Sequence, residues 1–135
     1  MGNREKGKRF EDRIKKYLES CGWTVDKARA AVRFVGPGRA VSSPNDFFGC
    51  ADLIGVHQDK PYTLMIQCHA GKSATQRKAK LEAINWHYTA QRVQLWMPQS
   101  GMRGGIRALS LCMPGRDWSE YFFRLKAGNP VEDLL

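Results

Sequence analysis

Three polar side chains that can take part in chemistry fall on one predicted β-hairpin. Two short apolar runs, residues 53–56 and 62–68, are separated by a polar turn, which is the pattern of two strands joined by a loop of several residues. Asp52 stands at the start of the first run, where an acid contributes little to folding. Side chains alternate along a strand, so the second run places Gln67 and His69 on one face. We therefore expect Asp52, Gln67 and His69 to share one face of the hairpin.

This hairpin resembles the catalytic hairpin of the PD-(D/E)xK nucleases, in which an Asp opens one strand and the next carries an acid, one spacer residue and a Lys. Ala51-Asp52 corresponds to the first half and Gln67-Cys68-His69 to the second, with Gln in place of the acid and His in place of the Lys. The resemblance spans roughly residues 3–97 in the order helix, strand, loop, Asp strand, Gln-x-His strand, helix, strand. It implies an α/β fold with a restriction-endonuclease-like core, a central mixed β-sheet flanked by helices.

The resemblance also implies a divalent metal, Mg²⁺ or Mn²⁺, which would polarise a phosphodiester and activate a water molecule. Mg²⁺ prefers oxygen ligands and keeps several waters. The expected ligands are the carboxylates of Asp52 and Glu11, the side-chain carbonyl of Gln67 and the backbone carbonyl of Cys68. Glu11 is included among the expected ligands because archaeal and phage Holliday junction resolvases carry a Glu on the first helix. A solvated helix acid is the alternative interpretation of that residue.

The remaining candidate side chains lie close to this hairpin in sequence. His69 can orient a water molecule through one ring nitrogen, and Lys72 follows the second strand and can reach back to replace the Lys of the motif. The catalytic set implied by the resemblance is therefore Glu11, Asp52, Gln67, His69 and Lys72. Asp46 is either a further carboxylate near the metal or a turn residue.

The charge of the chain favours a polyanionic partner. Its formal net charge is +9, and nucleic acid is the commonest partner of so basic a domain. The resemblance makes that partner DNA, in particular a branched or four-way junction, bound by a homodimer that cuts two strands symmetrically. The candidate DNA contacts are Lys6, Lys8, Arg9, Arg13, Arg39, Lys72, Arg77, Lys78 and Lys80.

The length of 135 residues indicates one domain, which we place at 1–126, followed by a C-terminal tail at 127–135. A helix is predicted from Asn3 to Cys21, ended by Gly22, and a second from the capping residue Ser73 to about Ala90. Two segments stay ambiguous between helix and strand, at 27–35 and 117–126. Strands are predicted at 23–25, 53–56, 62–68, 92–97 and 106–112, and a loop at 36–45.

The four cysteines have no zinc-binding spacing and indicate reduced thiols in a cytosolic setting. No apolar run is long enough to span a membrane. Together with the resemblance, this predicts a cytoplasmic protein of a prokaryote or a phage-infected cell.

Two functions of different classes follow from the departures at Gln67 and His69. The first is a metal-dependent DNA endonuclease that resembles a Holliday junction resolvase and acts in DNA recombination. The second is a nuclease-fold protein that binds branched or duplex DNA without cutting it. A nuclease-like subunit that works only with a protein partner is a third possibility.

Overall fold

A six-stranded mixed β-sheet organises the chain. The computed structural model describes residues 3–28, 31–34, 38, 40–43, 47–71, 74–87, 89–112 and 117–135. Its elements in chain order are α1 (Asn3–Ser20), β1 (Thr24–Lys27), β2 (Ala31–Phe34), β3 (Ala40–Ser43), β4 (Leu53–Val56), β5 (Thr63–Cys68), α2 (Thr75–Glu82), β6 (Gln91–Pro98), β7 (Gly105–Cys112) and β8 (Asp117–Arg124). The protein is therefore α/β, with a mixed sheet and helices, as the sequence predicts.

The order of strands in the sheet is β1-β4-β5-β6-β7-β8. Neighbouring strands run antiparallel except β5 and β6, which run parallel. A parallel pair needs a crossover connection, and α2 lies in that connection. Because β5 and β6 are parallel, their carboxyl ends lie at the same end of the sheet, where β4 begins and β1 ends.

Helix α1 forms because its apolar residues recur at helical spacing. Phe10, Ile14 and Leu18 are buried along one stripe. The helix ends in a Schellman motif, in which Trp23 N–H donates to the Leu18 carbonyl and Gly22 N–H donates to the Glu19 carbonyl. Gly22 has φ +93°, a conformation that favours glycine, so the predicted stop at this residue is confirmed.

An apolar cluster packs on each face of the sheet. Side chains alternate along β5, so successive residues lie in different clusters. Leu64 and Ile66 lie in the cluster beneath α1, and Cys68 packs against it. Met65 lies in the other cluster, with Leu81 of α2. The predicted alternation of the hairpin is therefore confirmed.

Helix α2 is shorter than predicted. It runs from Thr75 to Glu82, with Ala74 as its N-cap residue, whereas the pattern of apolar residues predicts a helix to about Ala90. The Trp86 indole donates to the Leu81 carbonyl at 2.7 Å. This side chain takes an acceptor that a continued helix would use for its own backbone, so the helix stops. The predicted capping residue Ser73 lies outside the described residues.

The Gly-, Pro- and Ser-rich stretch at 36–45 is not entirely a loop. Strand β3 falls within it and pairs antiparallel with β2, from Ala31 opposite Ser43 to Phe34 opposite Ala40. The prediction of a loop over the whole stretch is therefore wrong, and the ambiguous segment 27–35 contains a strand. The two strands are adjacent in the chain, so their backbone N–H and C=O groups pair with each other. A strongly apolar sequence is not needed for this pairing.

The C-terminal segment does not extend away from the domain. Leu134 and Leu135 are buried in the cluster beneath α1, and the Gln94 amide donates to the Leu134 carbonyl. The ambiguous segment 117–126 contains strand β8, which forms an edge of the sheet with Phe122 52% exposed. Among the described residues, no helix has the length and apolar character that would let it span a membrane.

Candidate active site

An open cleft of about 590 Å³ lies at the end of the sheet where β4 begins and β5 ends. Its wall is formed by α1, by the two strands of the hairpin and their flanking residues, and by α2. The cleft lies beyond the last backbone pairing between β4 and β5, and residues of both helices line it. The lining residues are Gly7, Glu11, Asp52, Gln67, Cys68, His69, Ala70, Gly71 and Arg77.

Asp52 is held by the backbone of the neighbouring strand. Its N–H donates to the Ile66 carbonyl at 2.8 Å, just past the last β4–β5 pair. Its Oδ2 accepts the Cys68 N–H at 2.8 Å and the Gln67 amide Nε2 at 3.0 Å. The carboxylate therefore occupies the place that another strand residue would have taken opposite Cys68. An acceptor of two N–H groups is firmly oriented.

Gln67 carries the most informative atom of the cleft. The side chain is 1% exposed, and its Oε1 is buried with no hydrogen-bond partner among the described residues. The orientation of the amide follows from its neighbour, since only the NH₂ group can donate to the Asp52 carboxylate. Leaving a buried acceptor unsatisfied costs roughly 1–3 kcal/mol, so a water molecule or an ion bound at this carbonyl oxygen would stabilise the site.

Cys68 contributes a backbone carbonyl on the same side. In an extended strand the N–H and C=O of one residue point to the same neighbour, and the Cys68 N–H points to Asp52. Burial raises the pKa of the Cys68 thiol well above its usual range, and the carboxylates of Asp52 and Glu11 raise it further. The thiol is therefore protonated at neutral pH, and the backbone oxygen is the ligand that this residue can offer.

Glu11 is positioned by two residues that the sequence analysis did not select. Its Oε2 lies 3.5 Å from the Lys27 ammonium, which is 2.8 Å from Asp12 Oδ1. Although burial acts in the opposite direction, the hydrogen bond to Asp12 and the charges of both acids raise the pKa of Lys27. The same hydrogen bond lowers the pKa of Asp12. Lys27 thus stays charged and holds the Glu11 side chain beside the cleft.

No signal in the sequence links Lys27 to this site. Its segment is ambiguous between helix and strand, and only the register of β1 opposite β4, with Lys27 paired to Leu53, places it next to Asp52. The adjacent Ala28 N–H then donates to the Asp52 carbonyl at 2.8 Å.

His69 lies at the mouth of the cleft, immediately past β5. Its backbone N–H donates to the Trp96 carbonyl, which fixes the main chain at the strand end. A Cβ built on Gly71 would lie 2.7 Å from the His69 ring, so a side chain at this position would require the ring to move. The glycine therefore gives His69 room to fold back along the cleft wall.

The structure brings together five of the residues predicted for chemistry and metal binding, and one of the predicted DNA contacts. Arg77 is that contact, and it lines the cleft. Lys78 lies elsewhere, 5.9 Å above the ring of Trp118, and Lys80 is exposed in the last turn of α2. The exposed side chains of Lys8, Arg9 and Arg13 lie outside the cleft wall.

Several predicted residues cannot be placed in this way. Arg39, Asp46 and Lys72 lie outside the described residues, and the helix backbone alone is described for Lys6. The parts of the chain that the structure describes contain no group of three or more His, Cys, Asp or Glu side chains arranged to hold a metal. Any cation in the cleft therefore depends on neutral oxygens as well as on the two carboxylates.

The cleft thus combines the carboxylates of Glu11 and Asp52 with the buried Gln67 carbonyl and a backbone oxygen, beside an arginine. This donor set is entirely oxygen and suits a hard cation. Comparison of the chain with protein-family models, with curated proteins and with solved structures finds no match in any of the three.

Proposed function

We propose that this protein is a metal-dependent DNA endonuclease of the PD-(D/E)xK type, with a restriction-endonuclease-like core, that hydrolyses phosphodiester bonds in branched DNA. The observation that carries the proposal is the buried Gln67 Oε1, which faces no donor among the described residues while its amide group is bonded to Asp52. A carbonyl oxygen fixed beside a carboxylate is suited to a metal ion, and burial without any ligand would be costly.

The fold supports the proposal through the order of its elements. A first helix with Glu11, the antiparallel strands β1, β4 and β5, the crossover helix α2 and the parallel strand β6 follow one another as the resemblance implies. Asp52 stands at the start of β4, and Gln67 near the end of β5. The β2–β3 hairpin and strands β7 and β8 are additions to that order.

The residues present fit Mg²⁺ or Mn²⁺. Asp52, Glu11, the Gln67 carbonyl and the Cys68 carbonyl would hold the ion, with water completing its coordination. When bound, the ion would polarise a phosphate and lower the pKa of a coordinated water. The two carboxylates carry two negative charges, which Lys27 partly offsets. Affinity for the ion is therefore expected to be lower than with the acid of the family motif in place of Gln67.

The side chains of the cleft divide the remaining tasks. Asp52 Oδ2 accepts two N–H groups, which hold the carboxylate in the wall of the cleft. His69, placed against Gly71, is suited to orient the attacking water. Arg77 carries a permanent charge at the cleft wall and is suited to a DNA phosphate. We also propose a homodimer, because symmetric cleavage of two strands requires two sites.

One observation favours the alternative of DNA binding without cleavage. The Glu11 carboxylate is already within 3.5 Å of the Lys27 ammonium, which competes with a metal for the same oxygens. With a neutral Gln67, the cleft can therefore serve as a polar pocket beside a DNA-binding surface. Cleavage is the property that separates the two functions.

A cleavage assay tests the proposed function directly. Purified protein is incubated with a labelled four-way junction, a linear duplex and a single strand, each with Mg²⁺, Mn²⁺ or EDTA. We expect cleavage of the junction with either metal and none in EDTA. Binding of the junction without any nicking under all three conditions contradicts the nuclease and supports the alternative.

A further inference from the structure

Three arginines from separate elements converge on the turn 99–104 that joins β6 to β7. Arg124, at the end of β8, donates its Nε to the Arg103 backbone carbonyl at 3.3 Å. A Cβ built on Gly104 would lie 4.0 Å from Nη2 of Arg13, which comes from α1. These contacts place Arg13, Arg103 and Arg124 around one turn, and we refer to the three residues as the arginine cluster.

No side chain among the described residues neutralises the arginine cluster. All three arginines are exposed, and none forms an ion pair with another residue that the structure describes. Arg107 on β7 differs from them, because it forms an ion pair with Glu120 at 2.6 Å. Asp12, next to Arg13 in sequence, is bonded to Lys27 instead. Arginine does not lose its charge near neutral pH, so an external anion is what would relieve the mutual repulsion.

The arginine cluster lies at the same end of the sheet as the cleft. The ends of β5 and β6, the start of β7 and the end of β8 all meet there, with Arg124 paired to Gly105. Neighbouring strands are about 4.8 Å apart, so β8 lies roughly 14 Å from β5 across three spacings. Duplex DNA rises 3.4 Å per base pair, so this separation corresponds to about four base pairs.

We infer that the arginine cluster is a second nucleic-acid contact, which binds backbone phosphates of a duplex arm about four base pairs from the phosphate in the cleft. This inference rests on the proposed function. It extends that function to Arg103 and Arg124, which do not line the cleft. The guanidinium groups bind phosphate oxygens in a bidentate manner and read no sequence. The contact fixes the position of the duplex relative to the cleft.

Binding measured in EDTA tests the arginine cluster without any contribution from cleavage. Fluorescence anisotropy of a labelled duplex is followed against salt for the wild type and for Arg103→Gln with Arg124→Gln. Each phosphate contact contributes a slope of about −0.9 to a plot of log association constant against log salt concentration. One contact therefore makes the association constant roughly eightfold larger at 0.1 M than at 1 M salt. The double variant is expected to bind about 60-fold more weakly at 0.1 M, with a slope reduced by about 1.8.

Matched variants separate the outcomes. Lys60→Gln removes a charge at the opposite end of the sheet, and Arg107→Gln removes a paired one, so both are expected to keep the wild-type slope. Arg103→Lys with Arg124→Lys should recover most of the slope, because it retains the charges. Thermal unfolding confirms that each variant is folded.

Three results overturn the inference. If the double variant keeps the wild-type slope while the wild type binds, the arginine cluster makes no phosphate contact and the proposed function stands. If the wild type binds neither the duplex nor a four-way junction in EDTA at low salt, both fail. If the double variant loses binding only to anionic phosphatidylserine vesicles, the arginine cluster serves a lipid surface instead.

Discussion

Replacing Asp52 by asparagine is expected to abolish cleavage while leaving the fold and DNA binding intact. Asp52 Oδ2 accepts two N–H groups, and the Oδ1 of an asparagine can accept both in the same place. What is lost is the charge that would hold the proposed metal. A metal contributes several kcal/mol to the transition state, so we expect the cleavage rate to fall about a thousandfold or more. Rates are measured on a labelled junction in Mg²⁺.

Asp59→Asn is the matched control for this variant. Asp59 lies in the turn between β4 and β5, at the opposite end of the sheet from the cleft, and the substitution removes the same charge. Its cleavage rate is expected to equal that of the wild type. Binding of DNA by Asp52→Asn should be unchanged or slightly tighter, because a negative charge facing phosphates is removed. A rate for Asp52→Asn within threefold of the control contradicts its role as a metal ligand.

Gln67→Glu is expected to make the stability of the protein depend strongly on divalent metal. A glutamate would place a second carboxylate where an amide now donates to Asp52 at 3.0 Å. Without metal the two acids repel, so the pKa of Glu at this position rises and the variant unfolds at a lower temperature than the wild type. When Mg²⁺ is present, the two carboxylates at positions 52 and 67 are expected to bind it more tightly than the wild-type site does.

The effect of Gln67→Glu on stability depends on both the metal concentration and the pH. If Mg²⁺ is present at about 100 times its dissociation constant, it stabilises the folded state by about 2.7 kcal/mol, or roughly 10 °C in Tm for a domain of this size. In EDTA the loss of stability is small at low pH and grows as pH rises above about 4.3, because the unfolded state then gives up its proton more readily than the folded one. Thermal unfolding in EDTA and in Mg²⁺ measures both.

Gln58→Glu is the matched control for Gln67→Glu, since Gln58 is exposed in the turn between β4 and β5. Its Tm is expected not to respond to Mg²⁺ beyond the wild-type response. Adding His69→Lys to Gln67→Glu gives the hairpin the complete motif of the nucleases that it resembles. The double variant should raise the cleavage rate, or create activity where the wild type has none. An equal Mg²⁺ response in the two glutamate variants would place the metal elsewhere.

The hairpin could be predicted because its signals are local. Alternation along β5 separates Met65 from Ile66, and Gly22 ends α1 by its own conformation, so neither depends on distant partners. The position of Asp52 at the start of β4 also follows from the apolar run alone. The hairpin part of the candidate site therefore depends on local sequence alone.

Features set by partners distant in sequence could not be predicted. The end of α2 depends on the Trp86 indole reaching the Leu81 carbonyl, which the helical periodicity of the following residues conceals. The role of Lys27 depends on the register between β1 and β4, and the burial of Leu134 depends on contact with the sheet. Whether Gln67 Oε1 has a partner among the described residues depends on its tertiary surroundings, because a Gln on a strand has no fixed partner in sequence.

The most direct test of the metal site is a crystal of the protein grown or soaked with Mn²⁺, measured for anomalous scattering. If the cleft holds the metal, we expect one strong anomalous peak within about 2–2.5 Å of the Asp52 carboxylate and of Gln67 Oε1. The peak is expected to be absent from Asp52→Asn. A well-ordered crystal with no peak in the cleft, and with Gln67 Oε1 bonded to a water or a protein donor, would contradict the account.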